Sequence, residues 1–156
     1  MTSESSIDVR EVVFINERCR RDYFELPAEV GESADEAIDA VQNGRRLSPK
    51  MFSQLSGKLS GIDEIKIPYD SDTYRVYVTL ECKWIVMVLD AGIKKSNEGK
   101  KIPQWQQERL EQRLSKARQY CKAQGKALGV DYAKRQALRD AYAKRTEGRK
   151  GRGEPK

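Results

Sequence analysis

The sequence contains no histidine. That removes the imidazole acid/base pair, the Ser-His and Cys-His nucleophiles, and any His-ligated metal. Cysteine is sparse as well: Cys19, Cys82 and Cys121 are odd in number, widely spaced and without a CxxC pair. Zinc is therefore not expected, nor any other metal or cofactor, and the thiols read as reduced ones in a cytoplasmic protein. Long apolar runs are missing too. The longest, Trp84 to Leu89, is flanked by Lys83 and Asp90 and falls far short of the ~20 residues that cross a bilayer. The start, Met1-Thr2-Ser3-Glu4-Ser5-Ser6, is polar and acidic, unlike a signal or transit peptide. No membrane association is expected.

Charge is plentiful but unevenly placed. Among 156 residues, 30 Lys+Arg face 24 Asp+Glu, a net charge of +6. Residues 1–122 balance at 20 basic and 20 acidic side chains, so the whole excess lies in 123–156. A finer division puts a net of −6 on residues 1–93 and +12 on 94–156. The length fits one ordinary domain with an appendage.

Periodicity divides the chain further. Residues 1–10 read as a polar arm. Glu11-Val12-Val13-Phe14-Ile15 is a β-branched run and reads as a strand. Cys19, Tyr23 and Leu26 recur at helical spacing, and Pro27 closes that helix. Ser33 and Glu36 form a capping box for a second helix with Ala37, Ile38 and Val41 on its apolar face, stopped at Asn43-Gly44. From Ile62 the period becomes two: Ile65, Ile67 and Tyr69 alternate with Glu64 and Lys66. After an Asp70-Ser71-Asp72 turn, Tyr74, Val76, Val78 and Leu80 alternate with Arg75, Tyr77 and Thr79. Trp84–Ala91 is apolar on both faces, so the three runs form an antiparallel meander. Pro103 opens a long helix with Leu110, Leu114, Ala117 and Cys121 as its packing stripe, and Gly125 ends it. A further, apolar-poor helix covers about 131–145 as part of a basic extension, 124–145, and 146–156 is a basic, Gly-rich tail expected to be disordered.

The fold class this order implies is α+β: an antiparallel sheet made of the N-terminal strand and the meander, with helices on one face and an extra C-terminal helix. Its other face is then partly open. The alternation puts Lys66, Arg75 and Tyr77 together on that face, and the loop after the last strand brings Lys94 and Lys95 to its edge. Such a surface can receive a polyanion. It can also cleave RNA without histidine, because fixed cations stabilise the charge that grows on a phosphate attacked by the ribose 2′-OH. A lysine crowded by cations gives up its proton more readily and can serve proton transfer. The plainer alternative is a row of solvated basic residues on a polar strand face. By the same reasoning Tyr69 and Tyr74 are core, and Trp105 is a packing anchor rather than a platform for a base.

The stretch Leu59-Ser60-Gly61-Ile62-Asp63-Glu64-Ile65-Lys66-Ile67-Pro68-Tyr69-Asp70, then Thr73-Tyr74-Arg75-Val76-Tyr77, resembles the phage-derived HigB/RelE-like toxins of toxin–antitoxin modules. Val88-Leu89-Asp90-Ala91-Gly92-Ile93-Lys94-Lys95-Ser96, followed by Pro103, is similar to that family's hydrophobic strand, paired lysines and helix start. Tyr23-Phe24-Glu25-Leu26-Pro27 fits its first helix. The likeness spans roughly residues 11–123 and implies a RelE-like fold and an mRNA endoribonuclease, often acting on ribosome-bound mRNA. It implies Lys66, Arg75, Lys94 and Lys95 as catalytic residues, with Tyr77, Ser96, Lys100 and Lys101 contacting RNA. The family often has His and Phe around its alanine where this chain has Asp90 and Gly92, so Asp90 is either a general base or a neutraliser of the cluster. The partners implied are mRNA, the ribosome and its rRNA, and a neutralising antitoxin, often a helix-turn-helix protein. Two other functions remain open: a same-fold gyrase inhibitor like the ParE branch, and a regulatory protein that binds nucleic acid through its basic C-terminus.

Overall fold

The computed structural model describes residues 10–94 and 102–151, with side chains through Arg145. Its element order is β1 (Glu11–Phe14), α1 (Glu17–Phe24), α2 (Ala28–Gln42), β2 (Phe52–Gln54), a 3₁₀ turn (Gly57–Leu59), β3 (Ile62–Tyr69), β4 (Asp72–Thr79), β5 (Ile85–Lys94) and α3 (Gln104–Gly151). The five strands form one sheet in the order β1-β5-β4-β3-β2. The polar arm, apart from Arg10, lies outside the described residues, as does the end of the tail at 152–156.

The meander forms as its alternation predicts, with β3, β4 and β5 antiparallel. Asp70 and Ser71 both take positive φ, at 50° and 70°, the two-residue hairpin geometry that matches strand twist. The sheet is nevertheless mixed rather than antiparallel throughout, because β1 runs parallel to β5, pairing Glu11 with Ile85 and Phe14 with Val88. Two helices and three strands separate β1 from β5, and a connection that long permits a parallel return. A short strand, β2, pairs with β3 at the far edge; Phe52-Ser53-Gln54 is too short to show a period.

Local capping explains the first two helices. The Asn16 side chain accepts from the Cys19 N–H at 2.8 Å, an N-cap for α1. Helix α2 starts at Ala28 directly behind Pro27, five residues before the capping box at Ser33. Its buried stripe is Val30, Ala34, Ala37, Ile38 and Val41, so it begins about two turns ahead of the stripe read from the sequence. The Asn43-Gly44 stop is a Schellman cap. Gly44 has φ +70°, its N–H reaches Val41 O at 3.2 Å, and the Arg45 N–H reaches Ala40 O at 2.8 Å.

Both faces of the sheet are covered, which corrects the expectation of helices on one face only. One core joins α1 and α2 (Cys19, Tyr23, Val30, Ile38) to Ile65, Ile67, Val76, Val78, Val86 and Val88. The other joins Leu110, Leu114 and Ala117 of α3 to Ile62, Tyr77, Ile85, Met87 and Leu89. The stripe on α3 matches the alternate residues of β5, because that strand is apolar on both sides.

Helix α3 does not end at Gly125. It continues through 48 residues to Gly151, about 70 Å at helical rise. Gly125 and Gly129 serve the Trp84 indole instead. A Cβ at either position would stand 3.4 and 3.3 Å from that ring, so the missing side chains let helix and indole approach. Further along, Arg135 pairs with Glu11 at 2.6 Å and Arg139 donates to the Asn43 side chain at 2.8 Å.

The expectation of three reduced thiols is corrected at two of them. Cys82 and Cys121 form a disulfide with Cα atoms 5.5 Å apart, linking the β4–β5 turn to α3. Cys19 is free and buried. Burial pushes its thiol up to about 12, which keeps it unreactive.

Candidate RNA-binding site on the α3 face

Directly opposed residues on antiparallel strands share a face, so the register sets out the site as rows. Glu64 lies opposite Tyr77, and Tyr77 opposite Asp90. The next row is Lys66, Arg75 and Gly92, and the one beyond is Pro68, Thr73 and Lys94. A register shift at Tyr77/Val78 lets Leu89 and Asp90 both turn toward α3.

The first row is tightly bonded. The Arg75 guanidinium donates to Glu64 Oε2 at 2.9 Å and the Tyr77 hydroxyl donates to the same oxygen at 3.0 Å. Glu64 is 6% exposed and Tyr77 1%. Burial, and then the neighbouring Glu64 carboxylate, push the Tyr77 phenol upward, so it stays protonated. Arg75 is thereby aimed by a fixed carboxylate, while its Nε has no hydrogen-bond partner.

Asp90 forms a second network beneath the start of α3. One of its oxygens accepts from Arg109 at 2.7 Å and Gln106 at 3.1 Å; the other accepts from its neighbour's Ala91 N–H at 3.0 Å and Arg113 at 3.4 Å. Arg113 also donates to Leu89 O at 2.7 Å. Asp90 is 1% exposed. A general base must reach the proton it removes, whereas this carboxylate is enclosed by two guanidinium groups and an amide.

The middle row carries the opening. Lys66 and Arg75 are half-buried on adjacent strands, and Gly92, beside Arg75, has no side chain. A Cβ added there would meet nothing within 4 Å. The space over Gly92, next to Arg75 in the register, is therefore open, with Asp90 two residues before it on β5 and Lys94 two residues after. Lys94 is buried at 8% exposure. The cations Lys66, Arg75, Lys94, Arg109 and Arg113 outnumber Glu64 and Asp90, so the surface carries an excess of positive charge suited to a phosphate. Lys95, Ser96, Lys100 and Lys101 lie outside the described residues.

The register groups Lys66, Arg75 and Tyr77 on one face as the alternation predicts. Tyr77, however, lies inside the α3 core rather than on an open surface, and Lys94 ends β5 rather than standing in the loop after it. Glu64, Gln106, Arg109 and Arg113 were not singled out in the sequence. Glu64 was visible as the residue two before Lys66 on the same face. The α3 residues had no comparable signal, because their place depends on which face the helix covers. Tyr69 and Tyr74 pack against the other core, as expected, with ring centroids 6.4 Å apart.

An α+β scaffold with a cationic sheet end fits the comparison with known families. Residues 21–115 match the family described as phage derived protein Gp49-like (DUF891), and the chain belongs to that family, a toxin-like family of toxin–antitoxin modules. No curated protein and no solved structure matches the chain. No helix among the described residues is long and apolar enough to cross a membrane.

Proposed function

We propose that the chain is the toxin of a toxin–antitoxin module and cleaves single-stranded message, with ribosome-bound mRNA as its natural substrate in the cytoplasm. The observation that supports this reading is the row of Lys66 and Arg75 facing the empty position at Gly92. A phosphodiester seated there meets a guanidinium already oriented by Glu64, so little reorganisation accompanies the reaction. The 2′-OH gives its proton to solvent as its oxygen forms a bond to phosphorus, the bond to the 5′-oxygen breaks, and a 2′,3′-cyclic phosphate remains. Arg75 stabilises the charge on the phosphoryl oxygens. Lys66 and Lys94, with Lys95 from the adjoining loop, supply further positive charge and a proton for the leaving oxygen. Ser96, Lys100 and Lys101 extend the contact to the RNA backbone. Glu64 and Tyr77 orient Arg75, and Asp90 anchors α3 rather than acting as the base.

Incubation of the purified chain with end-labelled RNA in the presence of EDTA tests this. The expected products carry 2′,3′-cyclic phosphates, and Arg75→Ala slows their appearance by about 10²–10³-fold, the usual cost of removing one oriented charge donor. Products with 3′-hydroxyl ends would exclude attack by the 2′-OH. Cuts that fall within codons only when ribosomes are present identify translated message as the substrate. Growth arrest without RNA fragments favours the gyrase-inhibitor alternative. A cognate antitoxin, of helix-turn-helix type in this reading, restores growth when co-expressed.

The distal part of α3 supports a contribution from bulk charge. Lys126, Lys134, Arg135, Arg139, Lys144, Arg145, Arg149 and Lys150 outnumber Asp131, Asp140 and Glu147 there. This stretch adds sequence-independent attraction to RNA, and through it the regulatory nucleic-acid-binding alternative would act.

A further inference from the structure

Trp105 behaves differently from the other tryptophan. Trp84 packs with the second core and against the two α3 glycines. Trp105, in the first turn of α3, is 58% exposed and belongs to neither core. Packing does not explain an indole left in water there.

Its surroundings are built. The Arg109 guanidinium lies over the ring, 4.8 Å from the centroid, and Arg109 is held by buried Asp90 at 2.7 Å. Gln106, the next residue, donates to the same carboxylate oxygen. A buried carboxylate thus fixes a guanidinium, which backs an indole whose remaining surface faces solvent. The stack holds the ring in place before any ligand arrives, so a flat partner loses less entropy on binding. The Nε of Arg109 also has no hydrogen-bond partner. The link to the open position is through Asp90, which holds Arg109 and stands two residues from Gly92 on β5.

We infer that Trp105, backed by Arg109, is the stacking platform for an unpaired base of the RNA whose phosphate sits over Gly92. The inference rests on the reading of this face as an RNA site and names how a single strand is held there. Stacking tolerates any base, because each has a π-face. The platform therefore selects single-stranded over duplex RNA rather than one nucleotide over another.

The test uses the full chain and a single-stranded RNA that carries 2-aminopurine and is 2′-O-methylated to prevent scission. Binding to the unmodified chain should quench the 2-aminopurine. Trp105→Leu keeps an apolar side chain but cannot stack; it should abolish the quench and weaken binding by about 5- to 150-fold, the span of base–aromatic stacking. Trp105→Phe should restore most of both. Arg75→Ala should weaken binding while the complex that still forms keeps its quench. If Trp105→Leu binds and quenches as the unmodified chain does, the platform is refuted and the RNA reading survives. If the unmodified chain binds no single-stranded RNA, both fall.

Discussion

The two faces of this sheet solve different problems. The face under α1 and α2 is largely apolar, with Ile65, Ile67, Val76, Val78, Val86 and Val88 all buried, though it also carries Asp63. The face under α3 is apolar at one end, where Ile62, Ile85, Met87 and Leu89 meet Leu110 and Leu114, and charged at the other. Polar groups can be buried at that charged end because each meets a partner: Glu64 with Arg75 and Tyr77, and Asp90 with Arg109 and Arg113. Asp63 and Glu64 sit in different surroundings. Neighbours on one strand, they point to opposite faces. Burial raises the Asp63 carboxyl from 3.8 to about 6, with desolvation its only cause, whereas Glu64 has a guanidinium and a phenol on one oxygen. The first face provides cohesion, and the second trades part of that cohesion for oriented charge.

The sharpest way to break the contrast is Asp90→Ala. It leaves Arg109 and Arg113 without their carboxylate in a buried place, which should cost about 3–5 kcal/mol. Amide exchange should accelerate at the start of α3 while α1 and α2 keep their protection in the native state. Equal acceleration on both faces would show that Asp90 does not anchor α3 in particular.

Next in size is reduction of the Cys82–Cys121 bridge. A loop closed across a sequence separation of 39 contributes about 3–4 kcal/mol in the chain-entropy account. Denaturant unfolding with and without reductant, or of Cys121→Ser, measures it. Cys19 should not react with a thiol reagent until the chain unfolds.

The smallest expected effect is the pH dependence due to Asp63. Its folded pKa is raised, so its favourable contribution is complete below about pH 3.8 and is lost as pH rises through about 6. Between pH 4 and 7 this amounts to about 2–3 kcal/mol. Asp63→Asn should flatten that slope in pH-dependent unfolding. An unchanged slope would place the sensitivity elsewhere.

How much of this was legible depended on distance along the chain. The β3–β4 hairpin followed from alternation and two turn residues, and with it the neighbourhood of Lys66, Arg75 and Tyr77. The start of α2 was misplaced because Ser33 and Glu36 satisfy a capping pattern inside a helix that Pro27 already begins. Gly125 reads as a helix stop until Trp84 is known to lie against it. Trp105 reads as a packing residue until α3 is seen to leave it outside both cores. Asp90 reads as either a general base or a neutraliser of the cluster until the opposing helix face supplies two arginines.

What the sequence by itself determined was local: the periods of the strands, the Schellman stop at Gly44, the absence of imidazole chemistry and the concentration of positive charge toward the C-terminus. The first two are decided by residues within a few positions of one another, where local backbone geometry sets the outcome, and the last two by composition alone. Only the tertiary structure decided that β1 runs parallel to β5, that α3 covers the second face, and that Cys82 meets Cys121. It alone also shows that Arg75 is aimed by Glu64 beside an empty Gly92. Those results depend on which surfaces bury each other across dozens of residues, and periodicity leaves that choice open when a strand such as β5 is apolar on both sides.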